Sequence, residues 1–306
     1  MFGLKIVEFP SARMDVDTIY RNPKLRADDI NRAFADPEVS AIIASIGGDD
    51  SVRILPYLDI DTILDNPKIL MGYSDTTAIT CFLAGHGLVT FNGPSIMAGF
   101  AQMRHLPSTF QSHVRSVLME PTERFQFHPY TQWADCYLDW NLPNYDGETE
   151  QLRDNDEGWH WLQGMGSTQG RLFGGCIEVL EFLKGTSFWP KPELFDDAIL
   201  FFETSEDKPT VSNVMYMLRN YGSMGILEKV RGVLIGRARS YSDEEKAELD
   251  SMVVRVVSEE FGQKDLPSLT NLDFGHTDPQ WVMPLGVEAE IDCYSHTLSL
   301  IEPSTS

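Results

Sequence analysis

The sequence predicts an α/β protein built on a layered parallel sheet, and three stretches carry that expectation. Val39 to Ile46 (VSAIIASI) is a continuous apolar run, as in a strand buried on both faces of a parallel sheet. It stops at Gly47-Gly48-Asp49-Asp50, where two glycines let the backbone turn tightly and approach a ligand closely. Ile69 to Met71 is a second apolar run; past Gly72, Tyr73 and Ser74, the stretch from Asp75 to Leu83 spaces its apolar residues as a helix does. Ala198 to Phe202 is a third run, leading directly into Glu203-Thr-Ser-Glu-Asp207. Strands alternating with helices make a layered sheet, whose ligands sit beyond the carboxyl ends of the strands.

The remaining elements follow in order. Residues 1–9 alternate like a strand, and Leu25 to Phe34 reads as an amphipathic helix. A helix is expected near Val52–Leu58 and a strand in Leu88 to Pro94. From Pro121 to Gly166 the periodicity dissolves into a segment rich in Trp, Asp, Asn and Gly, with Trp133, Trp140, Trp159 and Trp161 close together. Long loops of this kind are often functional; the tryptophans either cover a substrate, for which Trp140 and Trp159 are the candidates, or pack at a domain interface. Gly170 to Gly175 is a strand entering a Gly-Gly turn, and Cys176 to Leu183 a helix ending at Gly185. Val211–Leu218 is helical and Val230–Ile235 a strand. Ser242–Phe261 is a long acidic helix with Ser242 as N-cap and Glu245 three positions on. Leu269–Phe274 leads into Gly275-His276-Thr277-Asp278-Pro279, and Val287–Ile301 alternates by two, as in a hairpin turning near Tyr294–His296. The division expected is an N-terminal α/β domain over 1–120, a linker with a Trp-rich loop over 121–168, and a C-terminal domain over 169–306.

Composition bounds the function. The 306 residues carry 46 acidic and 24 basic side chains, a net charge of −22. Such a surface repels nucleic acid and anionic membrane, and no Lys/Arg cluster offsets it. Cys81, Cys136, Cys176 and Cys293 are scattered without CxxC or zinc spacing, as in reduced thiols of a cytoplasmic protein. No signal-peptide pattern or long apolar run is present. The expectation is a cytoplasmic protein with no nucleic-acid or membrane partner.

Three polar residues stand at the ends of apolar strands: Ser74, Glu203 and His276. A serine hydroxyl attacks well only when a base takes its proton. Histidine suits that task near neutral pH, and a carboxylate fixes its tautomer. The backbone N–H groups of Gly48 and Asp75 are the natural oxyanion donors, with Gly47 beside them against the substrate. Each assignment has a plainer rival. Ser74 or Asp75 also suits a helix cap, the Gly47-Gly48 turn a simple connection, and Glu206, Asp207 and Asp278 compete with Glu203 for the imidazole.

Six motifs in fixed order then carry a resemblance: Gly47-Gly48, Gly72-Tyr-Ser-Asp-Thr-Thr77, Asn92-Gly-Pro94, Gly170-Arg-Leu-Phe-Gly-Gly175, Ile199-Leu-Phe-Phe-Glu203 and Phe274-Gly-His-Thr-Asp-Pro279. Together they resemble the LD-carboxypeptidase family of serine peptidases, over nearly the whole chain. The Glu-Thr-Ser-Glu form after the strand, and Gly158-Trp-His-Trp161, are more similar to its microcin C self-immunity branch. The resemblance implies Ser74 as nucleophile, Glu203 as acid and His276 as base. It implies a flavodoxin-like layered parallel sheet followed by a C-terminal α/β domain with a mixed sheet. It also implies a homodimer and no metal; no cofactor is expected. The substrate it implies is a small peptide or peptide–nucleotide: the amide or acyl-phosphoramide bond of an aminoacyl-nucleotide in the immunity branch, a terminal D-residue of murein tetrapeptide in the other. A non-catalytic module holding an anion at helix N-termini is the reading outside that class. One departure stands out, since family members usually begin with a further strand ending in a Pro-Ser turn, whereas this chain opens at what resembles the second strand.

Overall fold

The strand at the Val39–Ile46 run is β1 (Ala41–Ile43), followed by β2 (Ile69–Gly72) and β3 (Thr90–Asn92). The computed structural model describes residues 2–143 and 145–305. In it β1, β2 and β3 pair in parallel, with Ala41 opposite Ile69 and Met71 opposite Phe91. The Trp-rich segment adds short strands, β4 (Phe125–Gln126), β5 (Gln132–Trp133), β6 (Arg153–Asp154) and β7 (His160–Gln163). The later chain supplies β8 (Ser167–Cys176), β9 (Ile199–Glu203), β10 (Gly232–Gly236), β11 (Ser268–Leu272), β12 (Met283–Leu285), β13 (Glu288–Asp292) and β14 (Thr297–Leu300).

These strands form two main sheets. One has the order β1-β2-β3-β12, its last strand running antiparallel to β3. The other has the order β4-β14-β13-β8-β9-β10-β11-β7. Its centre, β8 to β11, is parallel, and both flanks are antiparallel. The α/β expectation therefore holds, with a largely parallel first sheet and a mixed second one. Every residue of β9 and β10 is buried, which is why those stretches read as unbroken apolar runs. The hairpin β13–β14 alternates by two, as its sequence does.

Several local expectations are met with shifted boundaries. Helix Lys24–Ala35 covers Leu25–Phe34. The helix read near Val52–Leu58 is a 3-10 helix, Ser51–Tyr57. The segment after β2 starts as a 3-10 turn, Ser74–Thr76, and becomes α-helical over Thr77–Ala84. Ser242 and Glu245 form the reciprocal capping box of helix Asp243–Val254, but the next turn, Arg255–Glu260, widens to a π-helix.

Two expectations fail. Val39–Ile46 reads as a strand buried on both faces, but β1 is the edge strand of its sheet and Ala41, Ile42 and Ile43 are only half-buried. The alternating stretch at residues 1–9 forms no strand over residues 2–9, and Met1 lies outside the described residues. Leu4, Ile6 and Val7 are 63%, 79% and 53% exposed. Alternation only makes a strand where a neighbour supplies the hydrogen-bond ladder, and among the described residues no strand pairs with these.

The sheets lock together just beneath the serine turn. Helix Thr77–Ala84 packs on β8 and on helix Ile177–Leu183. The hydroxyl of Thr77 accepts the N–H of Cys176 at 3.0 Å. The backbone of β8 can lie this close to its neighbours because two of its residues lack a side chain. A Cβ on Gly175 would stand 2.6 Å from Thr77 Cγ2, and one on Gly174 only 1.7 Å from the carbonyl oxygen of Phe201. The Phe201 oxygen is backbone in the middle of a sheet and cannot swing aside. Gly174→Ala should accordingly cost about 3 kcal/mol of stability in urea denaturation. Gly185→Ala, whose Cβ would meet nothing within 4 Å, should cost about 1 kcal/mol, from its left-handed backbone alone. Equal losses in the two variants would contradict the packing account.

Candidate active site

Ser74 stands two residues beyond β2, Glu203 ends β9, and His276 follows β11 by four residues. All three lie at carboxyl ends of parallel strands, where α/β sheets place their ligands. All three are buried, at 9%, 0% and 2% exposure.

The serine turn is strained. Ser74 has φ +58°, a left-handed conformation that non-glycine residues adopt at a cost. Such a turn lifts the side chain clear of the sheet. The cap reading does not hold, since neither the 3-10 turn nor the helix after it has a side-chain cap. The Asp75 carboxylate instead reaches across to the other turn. Its Oδ2 accepts the N–H of Asp50 at 3.1 Å, the N–H of Ser51 at 2.9 Å and the hydroxyl of Ser51 at 2.6 Å. Burial pushes this carboxyl up, and the Ser51 and Asp50 donors oppose that. The glycine turn after β1 is thus fastened to the serine turn after β2.

Gly47 leaves space between the two. A Cβ there would stand 3.1 Å from Ser74 Oγ and 3.8 Å from the backbone nitrogen of Asp75. A Cβ on Gly48 would be 3.2 Å from the Asp75 carboxylate. As the second residue of its turn, Asp75 has an N–H with no intrahelical acceptor.

The imidazole lies on the other side. His276 Nδ1 is 2.5 Å from Glu203 Oε2, a buried contact. Gly275, at φ +101°, brings the loop down onto Glu203: a Cβ there would be 2.7 Å from the Glu203 Cβ. The ring of Tyr73, the residue before Ser74, meets the His276 ring edge-on at 4.8 Å between centroids. The serine turn and the imidazole are therefore neighbours. His276 Nε2, however, is 2.7 Å from Glu206 Oε2, placed as a charge pair and not aligned as a hydrogen bond. Burial works against a charged imidazole here, but the Glu203 and Glu206 carboxylates outweigh it and raise the His276 pKa. Burial likewise raises Glu203, against the pull of His276. The contact with His276 holds Glu206 down at about 2.

Of the carboxylates competing for the imidazole, Glu203 takes Nδ1 and Glu206 faces Nε2. Asp278 is 1% exposed, with neither oxygen hydrogen-bonded among the described residues, and burial pushes it up to about 7. Among the described residues Asp207 forms no hydrogen bond or ion pair with the ring. Trp140 is exposed and faces Tyr137, whose hydroxyl meets that of Tyr73 at 2.8 Å. Trp159 donates its indole N–H to Asp273 Oδ2 at 2.8 Å and sets its ring edge-on to Trp281. Among the described residues no group of side chains could hold a metal ion.

Family models match at both ends of the chain: the LD-carboxypeptidase N-terminal domain over residues 1–93 and the LD-carboxypeptidase C-terminal domain over 169–291. The chain belongs to the LD-carboxypeptidase family. The microcin C7 self-immunity protein MccF of Escherichia coli is 30% identical over 282 residues, 91% of this chain and 78% of that protein. A solved structure of MccF in complex with aspartyl sulfamoyl adenosine has a TM-score of 0.78 at 28% identity, over 92% of this chain and 82% of that one. An MccF-like protein from Streptococcus pneumoniae in complex with AMP has a TM-score of 0.82 at 26% identity, over 97% and 89%. A peptidase fold is thus established for this member of the LD-carboxypeptidase family, whose described residues include no helix long and apolar enough to cross a membrane.

Sequence reasoning did not find the parts that support the site. Glu178 accepts the N–H and hydroxyl of Ser205 at 3.0 and 2.7 Å, fixing the loop that carries Glu206. Arg237 donates to Asp273 Oδ1 at 2.7 Å with both side chains fully buried, and its guanidinium lies over Trp133 at 4.6 Å. This pair anchors the start of the loop bearing His276. The sequence signal was slight: Arg237 follows an apolar run by two residues, and Asp273 stands between Leu272 and Phe274. Asp273→Ala would strand a buried guanidinium and should cost about 3–5 kcal/mol, whereas Trp159→Phe removes one hydrogen bond at about 1 kcal/mol. Thermal and urea unfolding of the two variants would test that ranking, and the reverse order would contradict it.

Proposed function

We propose that the protein is a serine peptidase that cleaves the amide or acyl-phosphoramide bond of aminoacyl-nucleotides, with Ser74, His276 and Glu203 as its triad. The observation that carries this reading is the buried Glu203–His276 contact set beside a strained serine turn. A neutral His276 would take the hydroxyl proton through Nε2 as Ser74 Oγ attacks the carbonyl carbon. Glu203 would hold the tautomer through Nδ1 and stabilise the imidazolium that forms. The space left by Gly47 lies next to both Ser74 Oγ and the Asp75 nitrogen. It would take the carbonyl, with the N–H groups of Asp75 and Gly48 facing the oxyanion. His276 would then protonate the leaving amine, and water would release the acyl-enzyme.

The choice of substrate is supported by the relatives, whose solved complexes hold aspartyl sulfamoyl adenosine and AMP. The exposed Trp140, joined to the site through Tyr137 and Tyr73, would give a nucleobase a surface to stack on. Trp159 would act indirectly, by holding Asp273 and with it the loop of His276. We place the enzyme in the cytoplasm as a homodimer, a reading in keeping with its four free cysteines and its family. The organisation proposed is a nucleophile-bearing N-terminal domain, a Trp-rich connection and a C-terminal domain supplying Glu203 and His276.

Ser74→Ala should lower turnover more than about 10³-fold while costing no more than about 1–2 kcal/mol of stability. Full activity in that variant, assayed on an aminoacyl-nucleotide and on murein tetrapeptide side by side, would remove the assignment. Cleavage of the tetrapeptide alone would keep the triad and change the substrate. Gly47→Ala should lower kcat/KM by about 10²-fold through crowding of the carbonyl, with the circular-dichroism spectrum unchanged.

A further inference from the structure

The atom that the proposed mechanism needs free, His276 Nε2, faces a second carboxylate. Glu206 Oε2 stands 2.7 Å from it, on the loop fixed by Glu178, and the Glu206 side chain is 55% exposed while the imidazole is 2% exposed. One end of this carboxylate therefore touches the imidazole and the rest opens towards solvent. We propose, building on the serine-peptidase reading, that Glu206 is a substrate-released latch: it holds His276 Nε2 away from Ser74 at rest and moves to pair with a cationic group, of which a free α-ammonium is the simplest, next to the carbonyl under attack.

Three observations carry this. First, among the described residues no hydrogen bond joins Ser74 to His276; the ring is bracketed by Glu203 on Nδ1 and Glu206 on Nε2. A base needs a lone pair on Nε2, and a carboxylate at each nitrogen, hydrogen-bonded at Nδ1 and paired by charge at Nε2, favours the ring in its doubly protonated form. Second, the charged and titratable groups around the ring are mostly acidic. They are Glu203 and Glu206 from β9 and its loop, Asp278 from the imidazole's own loop, and Glu178 behind Glu203. Tyr73 faces the ring from the serine turn, and Arg239 acts on both Glu206 and Asp278. A cation arriving here meets the opposite charge directly. Third, Glu206 is half-exposed and is held below the usual carboxylate range chiefly by His276, so it is charged while it faces the ring and can be reached by a cation from solvent.

At rest the ring carries a proton on each nitrogen. When the substrate cation takes Glu206, the ring loses one of the two carboxylates that stabilise its charge, and its pKa falls. The Nε2 proton leaves to solvent, and the freed lone pair turns to the Ser74 hydroxyl. Substrate binding and activation of the base become one event, which protects an otherwise reactive serine from idle attack.

The test uses the full chain and Glu206→Gln, a change on a half-exposed loop side chain. A neutral serine-directed fluorophosphonate, which has no cation, reports Ser74 reactivity across pH. In the wild type, labelling should rise only as His276 loses its proton at high pH; in Glu206→Gln the same limb should move down by at least one pH unit. In parallel, wild type should prefer an aminoacyl-nucleotide with a free α-amino group over its N-acetyl form by at least tenfold in kcat/KM, and the variant should lose most of that preference. An unmoved limb, or an unchanged preference, overturns the latch while leaving the peptidase standing. Folded wild type and variant that both resist labelling at every pH would overturn the peptidase reading and the latch with it.

Discussion

The site depends on one contact: a carboxylate and an imidazole held 2.5 Å apart where both are almost wholly buried. Removing two ionisable groups from water is costly, and only close pairing offsets it. Each group therefore constrains the other. Glu203 is fixed because it ends a strand buried on both faces, paired with β8 and β10. His276 has no strand of its own and is held through its loop. That loop is tied at its start by Asp273, which Arg237 and Trp159 hold, and is pressed onto Glu203 at Gly275. The second buried ion pair thus serves the first, by setting where the imidazole can go.

The same economy of parts governs the serine side. The Asp75 carboxylate gathers three donors from the opposite turn. The glycine turn and the serine turn therefore move as a unit, although they follow different strands. A single side chain sets the distance between the hydroxyl and the backbone that lines the space beside it. Strain at Ser74 can persist because helix Thr77–Ala84 is anchored below through Thr77 to β8.

Much of this was legible in the sequence for a physical reason. Strands buried on both faces leave unbroken apolar runs, so β9 and β10 announce themselves, as do the polar residues at their ends; the same pattern in Val39–Ile46 marks a strand but not its burial, because β1 is the edge of its sheet and its three residues are only half-buried. The alternation of β13 and β14 and the Ser242–Glu245 box are equally local signals. What stayed hidden was non-local. Asp75 suits a helix cap as well as any residue, and only its partners at Asp50 and Ser51 show otherwise. The charge pair of Glu206 depends on which way a loop side chain turns. Residues 2–9 carry the alternation of a strand, but pairing is a property of the neighbour and not of the segment. The π-helical turn at Arg255–Glu260 leaves no mark in a pattern that reads as continuous helix.

Met283–Leu285 comes from the last tenth of the chain yet completes the sheet formed by the first third, lying against β3. The polypeptide crosses from one sheet to the other and back within the stretch that carries His276. The early half cannot finish its own architecture until the late half has been synthesised, so hydroxyl and imidazole should become competent together during biogenesis.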